Sequence, residues 1–353
     1  MWRVTPIDLR IPRWNPGLRP LSSAYAVAAV GLLVAGCSAS AAPAPFRSQA
    51  SARPAPSSAS PLGRAHVVSS TSSLAPFTLP QAVSRPTVFT QGEGLLVVGG
   101  LTSADTTTQA ILRVDLARGA VSPAGQLPVP VHDAAGTVVN ARDLIFGGGS
   151  TAVTSAVQDV TPGSSPRVIG HLPQPRADLV AAGDGKAGYV LGGFDGAQGS
   201  TTILRTHDGK VFADVGTLPV SVRYPAVAAS SRSIWLFGGE HAGAQVTDVQ
   251  QIDLRTGQGT IAGHLPGPLA HAGAFVLGGA IFVAGGRIGA TATDKVMRFD
   301  PANMTFTAAG HLPAARSDFG VAVVSDTAYL VGGESPKPVD TVIRVRAQAG
   351  GTP

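Results

Sequence analysis

Met304-Thr-Phe-Thr-Ala-Ala-Gly-His-Leu-Pro-Ala-Ala-Arg-Ser-Asp-Phe-Gly-Val-Ala-Val-Val-Ser-Asp-Thr-Ala-Tyr-Leu-Val-Gly-Gly333 is the stretch on which the fold turns. It holds a Leu-Pro at Leu312 and, 20 residues later, a Gly-Gly at Gly332 that follows the apolar run Ala328-Tyr-Leu-Val. Outward from it the same pair recurs. Leu-Pro begins at Leu79, Leu127, Leu172, Leu218, Leu265 and Leu312, and Gly-Gly at Gly99, Gly147, Gly192, Gly238, Gly285 and Gly332. The spacing of 20 is constant, while successive doublets lie 48, 45, 46, 47 and 47 residues apart. A fixed period of this length marks a repeat architecture.

Each copy contains four short β-rich runs: one between Leu-Pro and the doublet, rich in Ala, Gly and Val; the apolar run before the doublet; a third after a polar loop, as in Asp248–Asp253; and a fourth leading into the next Leu-Pro. Four strands per unit, six times over, predict an all-β chain and a six-bladed β-propeller in which each blade buries its faces against its neighbours. The last copy ends with Thr341-Val-Ile-Arg-Val-Arg346 and lacks a fourth strand, whereas an unpaired run, about 66 to 79, precedes the first copy. The N-terminal strand is therefore expected to close the last blade and remove two exposed edges.

Gly-Gly after a hydrophobic strand, an aspartate closing the third strand, and Leu-Pro followed by Arg together resemble the kelch repeat over about residues 75 to 346. The tryptophan usual on the fourth strand of that family is missing here; Phe306, Phe212, Ile261 and Val121 stand in roughly its place, so weaker contacts between blades are expected there. The copper oxidases among kelch propellers use a cysteine crosslinked to tyrosine, and the one cysteine of this chain is spoken for below.

Residues 1 to 36 combine a basic start with the apolar run Ala24–Ala35 and end at Gly36, before Cys37. The run is about 12 residues, too short for a hydrocarbon core that needs about 20, and reads as an export signal. Val34-Ala35-Gly36-Cys37 resembles the lipobox of bacterial lipoproteins, which implies a lipid on Cys37 and a chain anchored to the outer face of the cell membrane. Residues 37 to 64 are Ser, Ala and Pro with little to bury, and read as a semi-extended tether; residues 65 to 353 are the propeller. Removing the signal takes four arginines and one aspartate with it and leaves a net charge of about +2 without Lys or Arg runs, so nucleic acid is not an expected partner. Cys37 is the only cysteine, which excludes an internal disulfide.

Fourteen residues before each doublet stand Arg85, Asp133, Asp178, Tyr224, His271 and Asp318, at equivalent places near the start of the innermost strand. Equivalent places in a ring converge on one axial opening, so these six form the candidate binding rim, flanked by His132, Arg176, Arg223 and Arg316. In kelch domains arginines of this segment commonly reach a ligand groove, which implies a binding role for Arg176, Arg223 and Arg316. Recurrence also has a plain reading: such residues hydrate a channel and bond neighbouring loops. Phe194, Asp195, Glu240, His241, Arg287 and Glu334, just past the doublets, differ from blade to blade and sit where loops carry specificity.

No phosphate loop, catalytic Ser-His-Asp elbow, zinc spacing or dinucleotide fingerprint occurs, so no cofactor and no metal is expected, and no catalytic residue is assigned. Three functions stay open: a binding module for an envelope protein, peptide or glycan; a carbohydrate-active enzyme similar to the kelch-type sialic acid (N-acetylneuraminate) epimerases, with a carboxylate pair drawn from Asp133, Asp178 and Asp318; and a structural part of an envelope assembly.

Overall fold

The computed structural model describes residues 67–230 and 232–350. The signal, Cys37 and the tether to residue 64 lie outside them. The described strands form six four-stranded antiparallel sheets and three two-stranded ones. Blade 1 runs Thr87–Gln91, Gly94–Val98, Ala110–Asp115 and Ala120–Gln126; blade 2 Ala135–Val139, Arg142–Phe146, Ala156–Asp159 and Arg167–His171; blade 3 Ala177–Gly183, Gly188–Phe194, Thr202–Thr206 and Ala213–Thr217. Blade 4 is Ala226–Ala229, Ser233–Phe237, Asp248–Asp253 and Gly259–His264; blade 5 Gly273–Leu277, Ala280–Ala284, Lys295–Asp300 and Thr305–His311. Blade 6 takes Gly320–Val324, Thr327–Val331 and Thr341–Ala349 from the chain's end and its outer strand, Val67–Thr78, from the described N-terminus. The closing strand predicted from the repeat is this one, and it pairs from Val67 opposite Ala349 to Thr78 opposite Thr341.

The core is six seams rather than one centre. Each hydrophobic cluster joins two neighbouring blades: Phe237 and Val249 of blade 4 meet Val283 and Phe299 of blade 5, and Leu144 and Val157 of blade 2 meet Val190 and Leu204 of blade 3. The remaining four seams are built alike. A blade by itself would expose both faces, so the repeats stabilise one another.

The Gly-Gly doublets are where the backbones of neighbouring blades touch. The second glycine of every doublet donates its N–H to a carbonyl of the next blade, at 2.7–2.9 Å: Gly100 to Val131, Gly148 to Arg176, Gly193 to Val222, Gly239 to Leu269, Gly286 to Arg316, and Gly333 back to Val83. The first glycine has φ of 59–63° and the second 89–109°. A Cβ on the first would sit no more than 2.6 Å from that same carbonyl in all six copies. Glycine is required twice over there, by conformation and by closeness. The leucine of each Leu-Pro is buried and donates its N–H to the start of its blade's third strand, as Leu312 does to Asp294 at 2.7 Å. The aspartates that end third strands cap the turn that follows: Asp253 Oδ1 accepts the N–H groups of Arg255 and Thr256, and Asp115 Oδ1 those of Ala117 and Arg118.

The fourth-strand place vacated by tryptophan is filled unevenly. Phe306 pairs with Phe299 across the ladder and packs edge-on to Phe237 of blade 4, and Phe212 meets Phe146 of blade 2. In blade 4 the register puts Gly259 in that place, opposite Ile252, and Ile261 instead points outward, 45% exposed. Cavities of about 240 Å³ and 220 Å³ open at the seams of blades 1 and 2, beside Pro166, and of blades 3 and 4, beside Ile252 and Gly257.

Candidate functional site

The six rim residues share one backbone trait: all have positive φ, from 51° to 58°, without being glycine. Asp and His tolerate the left-handed region better than most, whereas an Arg or Tyr there is strained. The strain is held by a ring of hydrogen bonds around the axis. Arg85 N donates to Asp318 O at 2.6 Å, Asp318 N to His271 O, His271 N to Tyr224 O, Tyr224 N to Asp178 O, each at 3.0 Å, and Asp178 N to Asp133 O at 2.9 Å. Five of six links around the circle are thereby made. The ring explains why the position is conspicuous in sequence and why its side chains converge: all six line one mouth, a depression of about 130 Å³. Below it the small residues of the innermost strands line an axial channel of about 390 Å³.

A second tier sits directly outside. The residue before each rim position pairs with the residue after a doublet of its own blade: Ser84 with Leu101, His132 with Gly149, Ala177 with Phe194, Arg223 with Glu240, Ala270 with Arg287, and Ser317 with Glu334. The doublet-side residues reach over the seam to the next blade. Glu240 Oε1 lies 3.2 Å from Nε2 of His271, Arg287 holds Asp318 Oδ2 at 2.8 Å and also Glu334, and Glu334 faces Arg85 at 3.7 Å. Phe194 lies under the guanidinium of Arg223, 4.4 Å from its centroid, while the same guanidinium stands 5.2 Å from the Tyr224 ring and Tyr224 stacks on His271 at 4.1 Å. The loop residues whose variety drew notice in the sequence thus join the rim in one network.

Arg223 is at the mouth, with its side chain 36% exposed and 2.6 Å from Asp178 Oδ2. His132 stands beside it in the second tier, bonded through Nδ1 to Thr107 Oγ1 at 2.8 Å and 3.7 Å from Asp133. Arg176 and Arg316 do not belong to this set, contrary to the expectation from the kelch likeness. They are 3% and 2% exposed, and their guanidinium groups serve their own blades: Arg176 donates to Thr202 O at 2.9 Å, Arg316 to Gly332 O at 2.7 Å and Thr341 Oγ1 at 2.9 Å. In the other four blades Val83, Val131, Val222 and Leu269 fill that place, all buried.

Every arginine of the mouth is paired with a carboxylate. Arg85 pairs with Asp133 at 3.0 Å and Asp318 at 3.5 Å, Arg223 with Asp178, and Arg287 with Asp318 and Glu334. Burial pushes the Asp133 carboxyl up to about 7; Arg85 opposes the rise, while Asp178 and Asp318 add to it. For Asp318 burial also acts upward, but the hydrogen bond and charge of His271, with Arg85 and Arg287, hold it below the usual carboxylate range. His271 is the mirror case: burial would lower it, and the 2.6 Å bond to Asp318 raises it. Two buried polar atoms of the mouth, Arg85 Nε and Asp318 Oδ2, have no well-aligned hydrogen-bond partner, although the Arg287 guanidinium stands close to the latter. Among the described residues no group of three or more His, Cys, Asp and Glu side chains is arranged to hold a metal ion.

Comparison with known proteins agrees with this architecture. Residues 268–311, which span blade 5, match the Kelch motif. The solved structure of YjhT shares the fold with a TM-score of 0.67 at 17% identity, over 76% of this chain and 99% of that one. None of the curated proteins compared matches the sequence. The chain is a six-bladed propeller with a kelch repeat.

Proposed function

We propose that this propeller is an envelope-anchored recognition module whose axial mouth binds a neutral, hydroxyl-rich ligand, a glycan. One observation carries the reading: a recurring backbone turn brings Arg85, Tyr224, His271 and three aspartates, Asp133, Asp178 and Asp318, to one mouth, where Glu240, Arg287 and Glu334 join them in a network of ion pairs that leaves the buried Arg85 Nε without a well-aligned hydrogen-bond partner. Scaffold constancy with side-chain variety is how a repeat protein makes a specific site. A sugar suits it on three counts. Planar carboxylates and guanidinium groups match pairs of hydroxyls, and the Phe194, Arg223, Tyr224 stack offers flat surface for C–H faces. The three mouth arginines each already hold a protein carboxylate, so a carboxylated sugar would have to displace one of them. Rim N–H groups are mostly consumed in the ring, which leaves no free ladder on which to extend a peptide as a strand.

The anchor part of the proposal rests on the sequence around Cys37. Cys37→Ser should move the protein from the membrane to the soluble fraction; retention on the membrane would refute lipidation. For the mouth, calorimetric titration of the purified full-length protein against a panel of neutral mono- and oligosaccharides should give saturable binding. Arg223→Ala and Asp178→Asn should each weaken it by at least about 10-fold, a change of about 1.4 kcal/mol. Undiminished affinity in both variants would overturn the assignment.

A further inference from the structure

The second tier of the mouth is complete at five seams and open at one. At the seam of blades 3 and 4 Phe194 and Arg223 stack; at blades 4 and 5 Glu240 meets His271; at 5 and 6 Arg287 meets Asp318, its Nε donating to Ser317 Oγ at 2.9 Å; at 6 and 1 Glu334 meets Arg85. Leu101 and His132 occupy the seam of blades 1 and 2. Between blades 2 and 3 the two places belong to Gly149 and Ala177. Neither of those two places carries a side chain longer than a methyl group, and the rim residue behind them is Asp178, the partner of Arg223.

Neither conformation nor crowding demands glycine at 149. Its φ lies outside the left-handed range, and a Cβ built there would meet only Ala177 Cβ at 3.8 Å and His132 Nε2 at 3.9 Å, ordinary contact. That sets it apart from Gly147 and Gly148 beside it, which are at φ of 60° and 96°: a Cβ on Gly147 would collide with the carbonyl of Arg176 in blade 3, and one on Gly148 with Val131, His132 and Ala134 of its own blade. The backbone would accept a Cβ there, as the Leu, Phe, Glu or Arg at the equivalent place in the other blades requires. The opening is therefore a feature of the mouth's surface and not a by-product of the doublet.

We infer that the ligand is a linear oligosaccharide rather than a single sugar: one residue sits in the mouth and the chain leaves through the notch floored by Gly149 and Ala177. The inference rests on the glycan reading above and specifies it. A closed rim would admit only a terminal unit; a gap in one wall, level with the rim and next to the aromatic stack of blade 4, gives a chain a lateral path. His132 and Phe194 flank that path. The path also gives direction, since the other five walls carry side chains.

The test compares a monosaccharide with its own linear tetramer, drawn from the panel member that binds, for the full-length wild type, Gly149→Phe and Arg223→Ala. Expected for the wild type is at least about 10-fold tighter binding of the tetramer. Gly149→Phe should cancel that gain and leave monosaccharide affinity within about 2-fold; Gly149→Leu, with the residue blade 1 carries, gives the same readout if the larger side chain prevents folding. A tetramer gain that survives in a folded Gly149 variant, or no gain in the wild type, overturns the notch while leaving the mouth in place if Arg223→Ala still weakens monosaccharide binding by at least about 10-fold. If no sugar of either length binds the wild type, or if an extended peptide binds in its place, both readings fall.

Discussion

Gly238→Ala should separate blade 4 from blade 5, and the size of the effect can be built up from two neighbouring glycines that lack parts of its surroundings. Gly267 has no positive φ, and a Cβ there would meet nothing within 4 Å; Ala at that place should be neutral or stabilising by up to about 1 kcal/mol, through the unfolded chain. Gly243 has φ of 79° with open space around it, so Ala should cost about 1–2 kcal/mol of left-handed strain alone. Gly238 has φ of 60°, and its Cβ would lie well inside van der Waals contact of Leu269 O, the carbonyl that accepts from Gly239 N at 2.8 Å. Strain of about 1–2 kcal/mol then combines with a seam hydrogen bond worth about 0.5–1.5 kcal/mol, and the clash adds to both, for a loss of about 2–4 kcal/mol in total. Trp235 is 3% exposed in the cluster that fills this seam, and the other two tryptophans, Trp2 and Trp14, precede the predicted cleavage site. Urea unfolding followed by its fluorescence therefore reads the right place. The order Gly267→Ala, Gly243→Ala, Gly238→Ala should be one of increasing destabilisation. A Gly238→Ala variant no worse than Gly243→Ala would refute the account of the doublets as points of contact between backbones.

Three other outcomes follow from the same geometry. Asp133 is raised from 3.8 to about 7, so between those values the folded protein keeps a proton that the unfolded chain has released, and stability falls as pH rises through that window; Asp133→Asn should flatten this slope in urea midpoints taken between pH 4 and 7, and an unchanged slope would contradict it. Arg316→Leu, which installs the kind of residue found in four other blades, should cost less than about 1.5 kcal/mol, whereas Arg316→Ala should cost about 2–5 kcal/mol for the space it leaves; neither should alter sugar affinity, as melting curves and titration will show. Deleting Val67–Thr78 strips the partner from Thr341–Ala349 and bares Ile343 and Val345; the shortened chain should fail to give a cooperative monomer by light scattering and thermal melting.

Blade number, strand count and ring closure were legible because they depend on spacing, and spacing survives the loss of any single residue. The rim was legible for the same reason: a position 14 residues before each doublet recurs as a left-handed residue. Which arginines face the mouth was not, and the cause is a register of one. Arg223 stands 15 residues before its doublet, as His132 does, whereas Arg176 and Arg316 stand 16 before theirs. A one-residue shift along an extended chain reverses the direction of the side chain, so the first pair meets the mouth and the second is turned into the blade. Likeness of segment could not resolve that parity; counting back from the doublet in all six copies would have. Ile261 was matched to the wrong place within the fourth strand for a related reason: it stands four residues before its Leu-Pro, whereas Phe306, Phe212 and Val121 stand six before theirs, the place that Gly259 holds in blade 4. The joining of Glu240, Arg287 and Glu334 to the rim of the following blade was out of reach, because it depends on contacts between repeats rather than within one.

The closing strand Val67–Thr78 lies on the outermost edge of blade 6, far along the sheet from the innermost strand that carries the rim. Each blade lends the mouth one rim residue, so the mouth exists only while the circle is shut. Freeing that outer strand would loosen blade 6, part Asp318 from Arg85 and take the mouth apart from a distance, without any change to a rim residue. If the mouth binds sugar as proposed, ligand at the centre and the latch at the circumference share one equilibrium: ligand at 100 times its Kd would hold the latch closed by about 2.7 kcal/mol, and whatever pulls on the latch would be felt as weakened affinity.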